Sequence, residues 1–174
     1  MEFCASLEQI VKFTLPALLQ LKAEGKVRYI GLTGYSLETL QRLISLLPPD
    51  TVNTVLTYCR CTLVDQALLD VLQFFKDRKI GVINASPVSM GLLSKRGPPA
   101  WHPATENIKW DLPFPSPHHP HTNIVALRNI CRQAALYCQE QGEDVTDLAI
   151  LWTLTLKSIP TTLISTANIN NMMR

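Results

Sequence analysis

Three short runs rich in β-branched residues recur about every 26 residues in the first half of the chain, each followed by an apolar helical pattern. No other feature of the sequence limits the fold as much. The runs are Lys26 to Leu32 (KVRYIGL), Thr51 to Tyr58 (TVNTVLTY) and Ile80 to Ala85. Helices are predicted over Leu37 to Leu47, with Ser36 as cap and Pro48-Pro49 as stop, and from about Asp65 to Lys79, where Leu68, Leu69, Leu72 and Phe75 share a face. A further helix precedes the first run. Leu7, Ile10, Val11, Leu15, Leu18, Leu19 and Leu21 keep a helical period over Leu7 to Glu24, between Ser6 as N-cap and Gly25 as C-cap. Strand and helix alternating at this spacing are the pattern of right-handed βαβ units, so a parallel sheet in an α/β fold follows.

The run at Ile80 to Ala85 is short and β-branched, and it is predicted to be buried on both faces. Ser86-Pro87 stops it. A serine hydroxyl followed by a φ-fixed proline suits a loop at the carboxyl end of a parallel strand, the edge at which α/β sheets place their ligands. A plain strand-to-helix turn would use the same two residues. Beyond Leu93 the rhythm breaks, because Ser94 to His121 carries Pro98, Pro99, Pro103, Pro113, Pro115, Pro117 and Pro120. Regular structure cannot run through so many prolines, and a long loop on the carboxyl side of a strand shapes the mouth of a site. A helix is predicted from about Thr122 to Gln141, a second over Asp147 to Leu156 with Thr146 as its cap, and a last strand over Thr161 to Ile164.

A chain of 174 residues with 47% hydrophobic content can bury the core of one domain, and residues 1–174 are read as one. A net charge of +2 and 17% charged residues give no basic stripe, which argues against a nucleic-acid partner. The most apolar run, Leu148 to Leu156, is too short to span a bilayer, and the amino terminus lacks the charge and apolar pattern of a secretory signal. Five scattered cysteines fit reduced thiols and a cytoplasmic setting better than a disulfide framework.

His118, His119 and His121 lack a carboxylate or cysteine at useful spacing, so no metal site is assigned. Cys59 and Cys61 have no second pair and read as reduced thiols at a strand end, while Cys131 and Cys138 share a helical face. Trp101 and Trp110 either cover a sugar or cofactor or pack on a barrel rim. Lys95-Arg96 either meets phosphate or forms an exposed pair.

Four stretches together resemble the carboxyl-terminal half of an aldo-keto reductase, and within that superfamily the L-galactose dehydrogenase group. They are KVRYIGLTGYS at Lys26 to Ser36, VNTVLTYCRCTLVDQALLDVL at Val52 to Leu72, GVINASPVSMGLLSKRGPPAWHPA at Gly81 to Ala104, and IPTTLIST at Ile159 to Thr166. The resemblance implies a (β/α)8 TIM barrel, present here as about four parallel strands with their helices. It implies a nicotinamide dinucleotide, NAD or NADP, bound at the carboxyl ends of the strands without a Rossmann motif. On that resemblance Thr33 and Gly34 meet the nicotinamide carboxamide, and Tyr58 lies under the ring. Ser86, Pro87, Val88, Ser89 and Gly91 follow the pyrophosphate, where a serine hydroxyl and free loop amides suit phosphate oxygens. Ser165, Ala167 and Asn171 contact the adenosine end, although Ser165 stands where a glycine is usual and Arg174 where an acidic residue is common.

In the family a tyrosine, an aspartate, a lysine and a histidine on the first four strands manage the proton while hydride moves. Tyr29, Tyr35, Tyr58 and Tyr137 do not sit in that tyrosine's motif, so no catalytic residue is assigned. The resemblance implies an NAD(P)-dependent oxidoreductase whose full-length form oxidises a small sugar or aldehyde, an aldose such as L-galactose. The competing expectation is a non-catalytic truncated isoform or degenerate copy that acts by association. Half a closed barrel leaves two strand edges and an apolar inner face without partners, which invites self-association.

Overall fold

The computed structural model describes residues 6–97, 124–166, 169–171 and 173. Several sequence expectations lie outside the described residues: most of the proline-rich stretch with Trp101, Trp110 and His118 to His121, and Ala167 and Arg174 near the end.

The chain begins with α1 (Leu7–Gln9), passes through a π turn at Ile10–Thr14 and continues as α2 (Leu15–Ala23). Ser6 caps this helical stretch through its hydroxyl, which accepts from the Gln9 amide at 3.2 Å. The π turn replaces the uninterrupted helix expected over Leu7 to Glu24. Its cause is Pro16, which has no N–H for the preceding turn and whose ring crowds the carbonyl four residues back. Gly25, at φ +73°, takes the left-handed position past the helix end.

Strand β1 (Gly31–Thr33) leads to α3 (Leu37–Ser45), β2 (Thr54–Tyr58) to α4 (Ala67–Asp77), and β3 (Gly81–Ala85) to a 3-10 turn at Ser89–Gly91. Helices α5 (Ile124–Glu140) and α6 (Val145–Thr155) precede β4 (Thr161–Leu163). All four strands are parallel in the order β1-β2-β3-β4, with Leu32 beside Val55, Val55 beside Val82, and Asn84 beside Thr162. The strands are shorter at their starts than the β-branched runs, because only the residues facing a neighbouring strand enter the ladder. The cap of α6 differs from expectation. Asp144, not Thr146, accepts from the Thr146 amide at 3.0 Å, and the Thr146 hydroxyl instead donates to the Leu93 carbonyl at 3.2 Å.

One sheet face carries Leu32, Val55 and Val82, buried under Leu40, Leu43 and Ile44 of α3 and Leu68 and Phe75 of α4. Leu92, Leu93, Cys131, Ala135, Val145 and Ala149 form a second cluster between the segment after β3 and helices α5 and α6. On the opposite face Thr33 is exposed, Leu56 and Ile83 are half-buried, and Leu163 is 52% exposed. This corrects the expectation that Ile80 to Ala85 is buried on both faces. Val82 and Asn84 are buried and Ala85 with them, but Gly81 is exposed, since four strands do not close on themselves to cover that face. The arrangement is a four-stranded parallel β/α sheet, part of a (β/α) barrel.

Candidate functional site

Four of the six non-glycine residues at positive φ among the described residues lie at or just past the carboxyl edge of the sheet. Cys59, Ser86, Ser89 and Met90 all hold positive φ, at 60°, 57°, 49° and 54°, without being glycine. Such positions cost about 1–3 kcal/mol each and persist only where surrounding bonds impose them. For Cys59 and Ser86 those bonds run across strands. The Cys59 amide donates to the Ala85 carbonyl at 3.0 Å, the Ser86 amide to the Leu163 carbonyl at 3.3 Å, and the Gly34 amide to the Leu56 carbonyl at 3.0 Å. Residues 34, 58–59, 85–86 and 163 are thereby fixed at one edge, which places Gly34, Tyr58 and Ser86 near one another.

The loop after β3 is tightly self-bonded. Ser89 donates to the Ser86 carbonyl at 2.9 Å, Gly91 and Leu93 to the Val88 carbonyl at 3.0 and 3.1 Å, and Leu92 to the Ser89 carbonyl at 3.2 Å. Gly91, at φ +97°, makes the turn in a region other residues avoid. This narrows the expectation of free loop amides, because those of Ser86, Ser89, Gly91, Leu92 and Leu93 are spent on protein carbonyls. The hydroxyls are a better source of contacts. Ser89 Oγ is buried and has no hydrogen-bond partner, which leaves a desolvated donor able to satisfy a ligand oxygen. Pro87 is fully buried and anchors the loop. Gly34 is buried against α3, where an added Cβ would stand 3.3 Å from Leu40 Cγ and press on that side chain. At the far end of the edge Ser165 is exposed, and Asn171 Nδ2 donates to Thr166 Oγ1 at 3.0 Å.

Beside Tyr58 lies a group that the sequence showed only as a turn. Arg60 is 4% exposed, with its guanidinium carbon 4.0 Å from the centre of the Tyr35 ring. Its Nε donates to the Tyr35 carbonyl at 3.2 Å and a terminal nitrogen pairs with Asp65 at 3.0 Å. Asp65 is fixed in turn by the Ala67 amide at 3.0 Å, and its own amide donates to Thr62 Oγ1 at 3.1 Å. The Tyr35 and Tyr58 rings meet at 5.3 Å. Burial pushes the Tyr35 hydroxyl above its ordinary range, with Arg60 working against it. Burial also pushes the Cys59 thiol up to about 12 and the Cys61 thiol to about 11, which makes both poor nucleophiles near neutral pH.

Lys95 and Arg96 line a cleft of about 560 Å³ with Arg128, Arg132 and Gln139 of α5. The sequence gives no local signal for the arginines of α5. They lie four residues apart on one helical face, a spacing visible in the sequence once the cleft is known. Among the described residues no group of three His, Cys, Asp or Glu side chains converges as a metal site. No helix among them is long and apolar enough to cross a membrane.

A parallel β/α sheet with a built carboxyl edge defines a barrel-type α/β protein. The chain belongs to the aldo/keto reductase family, whose pattern matches residues 6–173. It is 36% identical over 167 residues to L-galactose dehydrogenase of Arabidopsis thaliana, covering 96% of this chain and 46% of that protein. It is 28% identical over 153 residues to D-arabinose 1-dehydrogenase of Saccharomyces cerevisiae, covering 81% of this chain and 40% of that one. Its fold matches the holo form of aldo-keto reductase AKR11C1 from Bacillus halodurans with a TM-score of 0.58 at 17% identity, over 94% of this chain and 48% of that one. The chain thus spans less than half the length of these relatives.

Proposed function

We propose that this chain is one partial aldo-keto reductase domain that carries the cofactor-site loops of an NAD(P)-dependent sugar oxidoreductase. The observation that carries this reading is the convergence of Gly34, Tyr58 and Ser86 at one strained sheet edge, joined by cross-strand amides. The unsatisfied Ser89 hydroxyl suits an oxygen-rich group such as a pyrophosphate. Ser86, Pro87, Val88, Ser89 and Gly91 hold that group, Thr33 and Gly34 meet the carboxamide, and Tyr58 supports the nicotinamide ring. Ser165, Ala167 and Asn171 serve the adenosine end. When bound, the nicotinamide supplies or accepts the hydride.

The substrate of the full-length form is an aldose such as L-galactose, a reading supported by the names of the two dehydrogenases that the chain resembles. None of this chain's tyrosines takes the proton-transfer role, so the isolated chain binds the cofactor without turning substrate over. The free thiols among the described residues, Cys59, Cys61, Cys131 and Cys138, support a reducing, cytoplasmic setting. The test is an assay of the purified chain with L-galactose and NAD or NADP. No reduced nucleotide is expected, and sustained turnover by this chain alone would overturn the assignment of no catalytic residue.

A second reading, an association module without chemistry, is favoured by the uncovered sheet face with Leu56, Ile83 and Leu163. It predicts self-association whether or not nucleotide binds.

A further inference from the structure

We infer that Arg60 is a positioning residue, which fixes the Tyr58 ring for the cofactor by gripping Tyr35 between the two. The inference rests on the reading of Tyr58 as the support of the nicotinamide ring. A guanidinium is a costly way to fill buried space, since its desolvation penalty is recovered only by well-directed partners. Arg60 has such partners on three sides. Its plane covers the Tyr35 ring at 4.0 Å, Nε holds the Tyr35 carbonyl at 3.2 Å, and a terminal nitrogen holds Asp65 at 3.0 Å. Tyr35 is thus held by both its ring and its backbone, two residues past the end of β1. That leaves its ring one orientation against Tyr58, 5.3 Å away and tilted by 56°.

The anchor of the chain of contacts is rigid. The Leu68 amide donates to the Arg60 carbonyl at 2.8 Å, and the Thr62 amide donates to the Asp65 carbonyl at 2.7 Å, so the first turn of α4 holds one end of the ion pair and the loop before it holds the other. Tyr58 shares the uncovered sheet face with Thr54 and Leu56 and lies at its carboxyl end. Contacts therefore run from the α4 turn through Arg60 and Tyr35 to the face on which the nicotinamide is placed. A leucine or methionine at this position could fill the space, but it could not direct Tyr35.

Titration of the full chain with NADH, reading affinity and the emission of the bound nucleotide, tests this in a cycle of Arg60→Lys, Tyr35→Leu and the double variant. Lysine keeps a charge for Asp65 but loses the planar stack and the second directed donor. The expected result is about a fivefold loss of affinity in each single variant, with altered emission of bound NADH. The double variant should be no worse than the weaker-binding single one, because both break the same route. Folded single variants that bind and emit as wild type would overturn the role of Arg60 while leaving the dinucleotide reading intact. Additive losses would overturn the route through Tyr35. A folded wild-type chain that does not bind NADH or NADPH would overturn the dinucleotide reading and this inference with it. Where Arg60→Lys does not fold, Tyr35→Leu alone decides the outcome.

Discussion

Cys59 and Ser86 occupy the same place at the ends of adjacent strands, both with left-handed backbones. Because the Cys59 thiol is raised by burial from its ordinary 9.0 to about 12, the folded chain holds its proton where an unfolded chain releases it. The sign follows: this stability is complete below about pH 9 and is lost as pH rises toward 12. A disulfide-exchange reagent at pH 8 should leave Cys59 and Cys61 unmodified in the native chain and label them only on unfolding. Rapid labelling of either thiol in the folded state would contradict their burial. The Ser86 loop was legible in the sequence because serine followed by proline changes the backbone locally. Arg60 was not, since a cation in a turn looks the same whether solvated or buried, and its partners Tyr35 and Asp65 are identified only by the fold.

At the scale of elements, the alternation of β runs and helices was legible because Leu40, Leu43, Leu68 and Phe75 fall on buried faces with the helical period. Phe75 is fully buried at the centre of the larger core. Phe75→Ala should cost about 3–5 kcal/mol, read as a drop in the urea midpoint, while a change below about 1 kcal/mol would mean that α4 is not seated on the sheet. Helix ends were less legible. Asp144 and Thr146 are both good capping types, and the choice between them depends on Leu93, a residue far away in sequence whose carbonyl takes the Thr146 hydroxyl. Asp144→Ala should cost about 1 kcal/mol, measurable as a lowered thermal midpoint, and Thr146→Ala should cost less of the helix cap. The π turn escaped the periodic reading because apolar spacing continues through Pro16 even though the hydrogen bonds do not.

For the whole molecule, the sequence pattern carried the parallel order of the sheet, and the resemblance to half a barrel carried its uncovered inner face, but the pattern within β3 alone did not. Alternation within β3 could not reveal that Ile83 faces no opposing strand, because burial of that face depends on strands beyond the four described. A two-fold axis along the barrel direction would set β4 of one copy beside β1 of another with both seams parallel, covering Leu56, Ile83 and Leu163. Sedimentation of the purified chain should therefore show dimers or larger species, and a compact, cooperatively unfolding monomer would contradict that expectation. The central claim is that this partial barrel keeps a working dinucleotide edge. Titration of the folded chain with NADH and NADPH, repeated on Ser86→Asp, tests it most directly. The account predicts saturable binding of at least one nucleotide, weakened more than tenfold when a carboxylate is set against the phosphates. A folded chain that binds neither nucleotide, or a Ser86→Asp variant that binds as well as wild type, would contradict it.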